Sequence, residues 1–182
     1  MASTGDPIVG AAQRASAPDE GKTRFIHLRV HSAYSLLEGA LPVGKIIGHA
    51  LRDRAPAIAV TDTNNLFGAL EFAQKATKDG VQPIVGCQLD SRFEEGDDPS
   101  RQHRRGGPVL QPLLLIAATE DGYSNLVRLV SRSYLQGKDD EPPHITRDWL
   151  EELADGIICL TGGERGPIGA CLKSGHPAEA ED

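Results

Sequence analysis

Between residues 25 and 173, short apolar or β-branched runs alternate with stretches of helical period, the signature of successive βα units on a mostly parallel sheet. From Phe25 to Val30, Phe25, His27 and Arg29 alternate with Ile26, Leu28 and Val30, so the run reads as a strand with one mixed face and one apolar face. Pro42 suits a first helical position, and Val43, Ile46, Ile47, Ala50 and Leu51 follow on one helical face until Asp53 and Pro56 end the run. Ala57 to Thr61 reads as a second, buried strand. Leu66, Ala69, Leu70 and Ala73 stripe a second helix that stops at Gly80, where a left-handed cap fits. Pro83 to Leu89 is a third strand, Leu110 to Ala118 a fourth and Ile157 to Leu160 a fifth. Between the last two, Asp121 is placed to cap a helix that turns Leu126, Val127, Leu129, Val130 and Tyr134 inward. Thr146 opens a short helix carrying Trp149, Leu150 and Leu153.

Three segments fall outside this pattern. Residues 1–24 are rich in Ala, Ser, Gly and Pro and read as a disordered tail; Asp6 and the shortness of the Pro7 to Ala12 stretch exclude a signal-peptide core. Ser91 to Pro108 mixes charges and glycines without apolar period, as a surface insertion does, which leaves the connection between the third and fourth strands undefined. Residues 174–182 form a polar tail. The fold class is α/β, either an open doubly wound sheet or the first part of a barrel. In both, ligand chemistry sits at the carboxyl ends of the strands, which here carry His31, Asp62, Gln88, Thr119 and Thr161.

Composition narrows the classes. The chain has 182 residues, 39% hydrophobic and 25% charged, as an ordinary globular domain does. Its longest apolar run, Leu113 to Ala118, is far short of the roughly 20 residues that a membrane span needs. A formal charge of -7 argues against an autonomous nucleic-acid binder. Cys87, Cys159 and Cys171 form no CxxC pair, which argues against a zinc knuckle or disulfide scaffold and for a reducing cytoplasm. Cys87 and Cys159 lie in apolar strands and read as core residues.

His27, Arg29 and His31 alternate along the first strand and share a face, and Glu38 follows in the next loop. Two imidazoles and a carboxylate suit a metal, but a guanidinium between them sets a fixed positive charge where a divalent ion would sit. The Thr61-Asp62-Thr63-Asn64-Asn65 turn has the composition of a helix cap. Gly162, Gly163, Gly166 and Gly169 resemble a phosphate-cradling turn, yet no Gly-Lys-Ser/Thr follows. Arg101, Arg104 and Arg105, with His103, sit beside Glu94, Glu95, Asp97 and Asp98, a nearly balanced loop that reads as solvated, with DNA or partner contact the lesser reading.

Taken in order, "FIHLRVHSAYSLLEGA", "AIAVTDTNNLFGALEFAQKA", "GVQPIVGCQL", "LLLIAATEDGYSNLVRLVSRSYL" and "DGIICLTGG" resemble the start of the bacterial replicative DNA polymerase III alpha subunits, over roughly Arg24 to Gly169. The resemblance implies the amino-terminal PHP (polymerase and histidinol phosphatase) domain, with residues 25–173 forming the first five strands of a distorted seven-stranded βα barrel. In metal-holding PHP domains the first motif is two histidines one residue apart, which fall here on Arg29 and His31. Glu38 matches an acidic ligand before a glycine. The histidine implied after Thr-Asp62 is Thr63, and the glutamate implied after Gly-Cys is Gln88.

Three implied ligands are thus replaced by groups with no free lone pair for a metal or no negative charge. The expectation is a degenerate PHP segment without catalysis or metal, in which Arg29 fills the vacated position and pairs with Glu38 or Asp62. The resemblance further implies a parent DNA-directed DNA polymerase using Mg2+ outside this segment. Its implied partners are the rest of the alpha chain, a proofreading exonuclease subunit, other replicase subunits and, through the parent, DNA; a membrane is not among them. A free-standing PHP-type metal-dependent phosphoesterase is the alternative. A barrel cut short should also leave edges and apolar faces uncovered, so the isolated chain is expected to be marginal or self-associating.

Overall fold

The structure is a computed structural model that describes residues 25–93, 110–137, 141–175 and 177–181. In chain order the elements are α1 (Val43–Arg52), β1 (Ala57–Thr63), α2 (Ala69–Lys78), β2 (Gln82–Arg92), β3 (Gln111–Ala117), α3 (Glu120–Leu135), β4 (Ile145–Thr146), α4 (Arg147–Glu152), β5 (Ile157–Leu160) and α5 (Pro167–Lys173). Short 3-10 turns follow β5 at Gly163–Arg165 and α5 at Ala178–Ala180, the latter within the stretch read as a polar tail. The α/β class holds, with one five-stranded sheet in the order β1-β2-β3-β5. Ser91 pairs with Gln111 of β3 and Ile145 of β4, so β4 lies on the side of β2 that β1 occupies lower down.

The sheet is mixed rather than mostly parallel. β1 and β4 run parallel to β2, but β3 is antiparallel to both β2 and β5. A parallel return needs a crossover of a dozen or more residues, usually a helix, whereas an antiparallel return does not. β2 also runs on through Ser91 and Arg92, two residues read above as insertion; residues 94–109, with Arg101, Arg104 and Arg105, lie outside the described residues. Reversal of β3 moves Thr119 to the end of the sheet away from Asp62 and Gln88, where its hydroxyl accepts from Gly122 N–H at 3.0 Å and caps α3. Thr119, not Asp121, is therefore the cap. Thr146 caps α4 as expected, accepting from Trp149 N–H.

Alternate residues of the strands face the helices. Val43, Ile46, Ile47 and Ala50 of α1 meet Phe72 and Ala76 of α2 over Ile58 and Val60 of β1. Leu126 and Leu129 of α3, with Leu153, cover Cys87, Leu89, Leu113 and Leu115 of β2 and β3. Of the stripe expected from Leu66, Ala69, Leu70 and Ala73, Ala69 is buried and Leu66, ahead of the helix, packs partly buried on the core, but Leu70 is exposed, and Phe72 and Ala76 complete the buried face of α2. Leu51, Val127 and Tyr134 are likewise exposed. Gly80 takes the expected left-handed conformation, φ +78°.

Phe25 to Val30 is not a regular strand. The carbonyls of His27 and Val30 accept from the amides of Ala59 and Thr61, so three steps on one side oppose two on β1, a bulge. The extra residue breaks the alternation. His27 packs its ring edgewise on Phe25, 4.7 Å between centroids, and does not join Arg29 and His31. The glycines after β5 serve close packing: a Cβ on Gly162 would lie 2.0 Å from the Pro112 carbonyl oxygen, and one on Gly166 1.7 Å from that of Thr161.

Candidate functional site

The site forms where β1 ends beside Gln88 of β2 and the bulged segment turns into the loop between Ser32 and Leu41. Parallel register sets Thr63 of β1 beside Gln88 of β2. Asp62, one residue earlier, is 2% exposed and anchors the loop. One carboxylate oxygen accepts from Ser32 N–H at 2.6 Å and Ser35 Oγ at 2.6 Å, the other from Ser32 Oγ at 2.7 Å. Ser35 Oγ in turn accepts from Thr63 N–H at 3.0 Å. The turn after β1 therefore does not cap a helix, since α2 begins at Ala69 behind Gly68 and has no side-chain cap. Asn64 instead donates to the Asp90 carboxylate and accepts from Asp90 N–H, while Asn65 donates to the carbonyls of Tyr34 and Thr63.

Arg29, Gln88, Thr63, Glu38 and His31 make one continuous chain of side-chain contacts. Arg29 Nε donates to Gln88 Oε1 at 3.0 Å, Gln88 Nε2 donates to Thr63 Oγ1 at 3.3 Å, and Thr63 Oγ1 donates to Glu38 Oε2 at 2.6 Å. His31 Nδ1 lies 2.9 Å from that same carboxylate oxygen. Every donor meets an acceptor along the chain, which fixes the Gln88 amide in one orientation. The expected pairing of Arg29 with Glu38 or Asp62 is not formed: Asp62 is taken by the serines and Glu38 by His31 and Thr63, and the neutral amide of Gln88 receives the guanidinium. Sequence reasoning missed Ser32 and Ser35, whose only signal was two small hydroxyl residues three apart beside His31.

A divalent metal does not fit these side chains. Both Asp62 oxygens already accept from serine donors, Gln88 brings no charge, and Arg29 adds a positive one. His31 Nε2 is buried without a partner, yet one imidazole nitrogen does not make the three- or four-ligand set of a zinc site. Among the described residues no three His, Cys, Asp or Glu side chains converge to hold a metal. Beside the chain, an open hollow is lined by Leu28, Arg29, Gln88, Leu114, Leu160 and Thr161.

Cys87 lies beneath the site, its thiol 3.2 Å from the Asp62 carbonyl oxygen, and burial pushes its pKa up to about 12. Cys159, by contrast, is exposed on β5, which corrects its reading as a core residue. Iodoacetamide at pH 8 is expected to label Cys159 and Cys171 on the folded protein and Cys87 only after denaturant, as read by peptide mass. Labelling of Cys87 at a comparable rate would show that the strand ends open readily.

The sequence profile of the PHP domain matches residues 27–182. The chain belongs to the PHP domain family. Among curated relatives, this PHP chain is 40% identical over 156 residues to the DNA polymerase III subunit alpha of Caulobacter vibrioides, covering 86% of this chain and 13% of the relative. It is 36% identical over 160 residues to the same subunit of Escherichia coli K12, covering 87% and 13%. The PHP chain thus spans about 13% of the length of these relatives. Among solved structures, it is similar to an amidohydrolase from Chromobacterium violaceum with bound sulfate and no metal, at 19% identity and a TM-score of 0.44, over 59% of this chain and 32% of that one. Arg29 stands where the resemblance places the first PHP histidine. No helix among the described residues is long and apolar enough to cross a membrane.

Proposed function

We propose that this chain is the amino-terminal PHP segment of a cytoplasmic DNA polymerase III alpha subunit, and that the segment is a metal-free structural and docking domain rather than a hydrolase. Residues 25–173 supply the first five strands of the seven-stranded barrel. Polymerisation, with its Mg2+ and its DNA, belongs to the rest of the alpha chain, and the PHP surface faces that chain, the proofreading exonuclease subunit and the remaining replicase subunits.

The observation that carries the structural role is the chain from Arg29 to His31. It ties the bulged segment, β1, β2 and the Ser32 to Leu41 loop through charge-assisted and neutral hydrogen bonds, the task a bound ion performs in a metal site. Metal analysis after dialysis against Mn2+ or Zn2+ is expected to find no stoichiometric ion, and a chromogenic phosphate ester is expected to stay intact. Tight binding of an equivalent or more, with hydrolysis lost in His31→Ala, would instead make this a free-standing phosphoesterase. An immunoblot of source cells should show a product far above 19.4 kDa. In a double-mutant cycle, Arg29→Met and Gln88→Leu should couple by roughly 0.5–3 kcal/mol in stability, and additivity would remove the staple role.

A further inference from the structure

We propose that the Ser32 to Leu41 loop is a docking finger whose two exposed leucines, Leu36 and Leu37, seat in an apolar hollow on the polypeptide that makes up the rest of the alpha subunit; this rests on the alpha-subunit reading above. Leu36 is 83% exposed and Leu37 107%, side by side at the tip. Single exposed leucines are common, but these two are held out by a rigid frame. Ser35 N–H donates to the Ser32 carbonyl, the Glu38 and Gly39 amides both donate to the Ser35 carbonyl, and Ala33 N–H donates to Leu41 at the base. Gly39 closes the frame so tightly that a Cβ there would lie 2.0 Å from the Ser32 carbonyl oxygen.

Leu37 is also strained. Its φ of +68° lies in the left-handed region that a leucine rarely adopts and that Gly or Asn adopts easily. A fully solvated, strained leucine gains nothing within this chain. Strain of this kind persists where the surroundings impose it, and here Asp62 below and the Glu38 contacts beside it do so. Such a pre-organised apolar tip binds without a further ordering cost.

The patch extends around the finger. Tyr34, Leu41 and Phe67 are all more than 40% exposed, and Tyr34 lies against Gly68, next to Phe67. Two carboxylates border it: Glu38, and Glu71, which receives the Tyr34 hydroxyl. The complementary surface is therefore an apolar hollow with a neutral or basic rim. The relatives are several times longer than this chain, which covers 13% of them, and a tethered surface is held at high effective concentration. That argument selects the same polypeptide over a second copy or a free partner.

The test is hydrogen exchange with mass spectrometry on the full-length alpha subunit, wild type against Leu36→Ser/Leu37→Asn, after the native product's mass has been read. The Asn accepts the left-handed backbone, so the frame should survive, and protection of β1 peptides over Ala57–Thr63 reports that it has. Residues 34–39 are expected to exchange at least about tenfold more slowly in wild type than in the variant, with β1 unchanged. Equal exchange in the two proteins overturns the finger. If the double variant loses β1 protection, Leu36→Ser alone is compared in its place, with the same two outcomes. Protection lost in the variant only when a second subunit or a second copy is present would assign the hollow to that partner and overturn the intramolecular seat. A native product of 19.4 kDa would overturn the alpha-subunit reading itself, which mass alone distinguishes from failure of the finger.

Discussion

Replacing Asp62 by alanine is expected to lower unfolding stability by roughly 3–5 kcal/mol, because three donors lose their acceptor and each stranded buried donor costs about 1–3 kcal/mol. The two serine hydroxyls can rotate toward other acceptors, but the Ser32 amide is fixed by the backbone. Asp62→Asn should fall between wild type and alanine, since it keeps one acceptor oxygen and turns an NH2 toward a donor. Urea unfolding measures this directly, with an unchanged slope marking a stability effect and not a change of the unfolded ensemble. A loss below about 1 kcal/mol would mean that the loop holds without its anchor.

The second large effect separates two readings of α2. Phe72 is fully buried between α1 and β1, and Phe72→Ala should cost about 3–5 kcal/mol through lost burial and the cavity left behind. Leu70 is 69% exposed, and Leu70→Ala should change stability by no more than about 0.5 kcal/mol. Thermal melts of the two variants decide it. A large loss for Leu70 and a small one for Phe72 would restore the stripe of Leu66, Ala69, Leu70 and Ala73.

These two substitutions also show what was legible in the sequence. Local signals carried well: Ile157 to Leu160 is β5 with the expected bounds, Thr146 caps its helix, and Gly80 turns left-handed where α2 ends. Properties that depend on distant chain carried poorly. Which side of α2 is buried is decided by where β1 and α1 lie, and the direction of β3 depends on how residues after β2 return. β5 itself is more exposed than an apolar strand suggests, with Ile158 52% exposed.

At the site, motif order located Arg29, His31, Glu38, Thr63 and Gln88, and the structure brings all five together. Pairing was not legible. Arg29 finds Gln88 because the β1–β2 register and the bulge place them so, and neither can be read from spacing. Ser32 and Ser35 carry no distinctive signal, since a small hydroxyl is unremarkable until a buried carboxylate is seen beneath it.

The β1–α2–β2 unit has a kinetic consequence. Its parallel partners are close in sequence, Ala57 with Gln82, whereas β5 pairs with β3 from Ala117–Ile157 to Leu114–Leu160, across a longer loop. Closing the shorter loop costs less chain entropy, so this unit forms earlier on the folding route and β5 joins late. Thr63 and Gln88 are set side by side by that pairing, and Glu38, as far from Thr63 in sequence as Gln88 is, closes on it at a similar entropic cost. Destabilising changes within β1 and β2 should therefore slow folding, while changes in β5 should chiefly hasten unfolding.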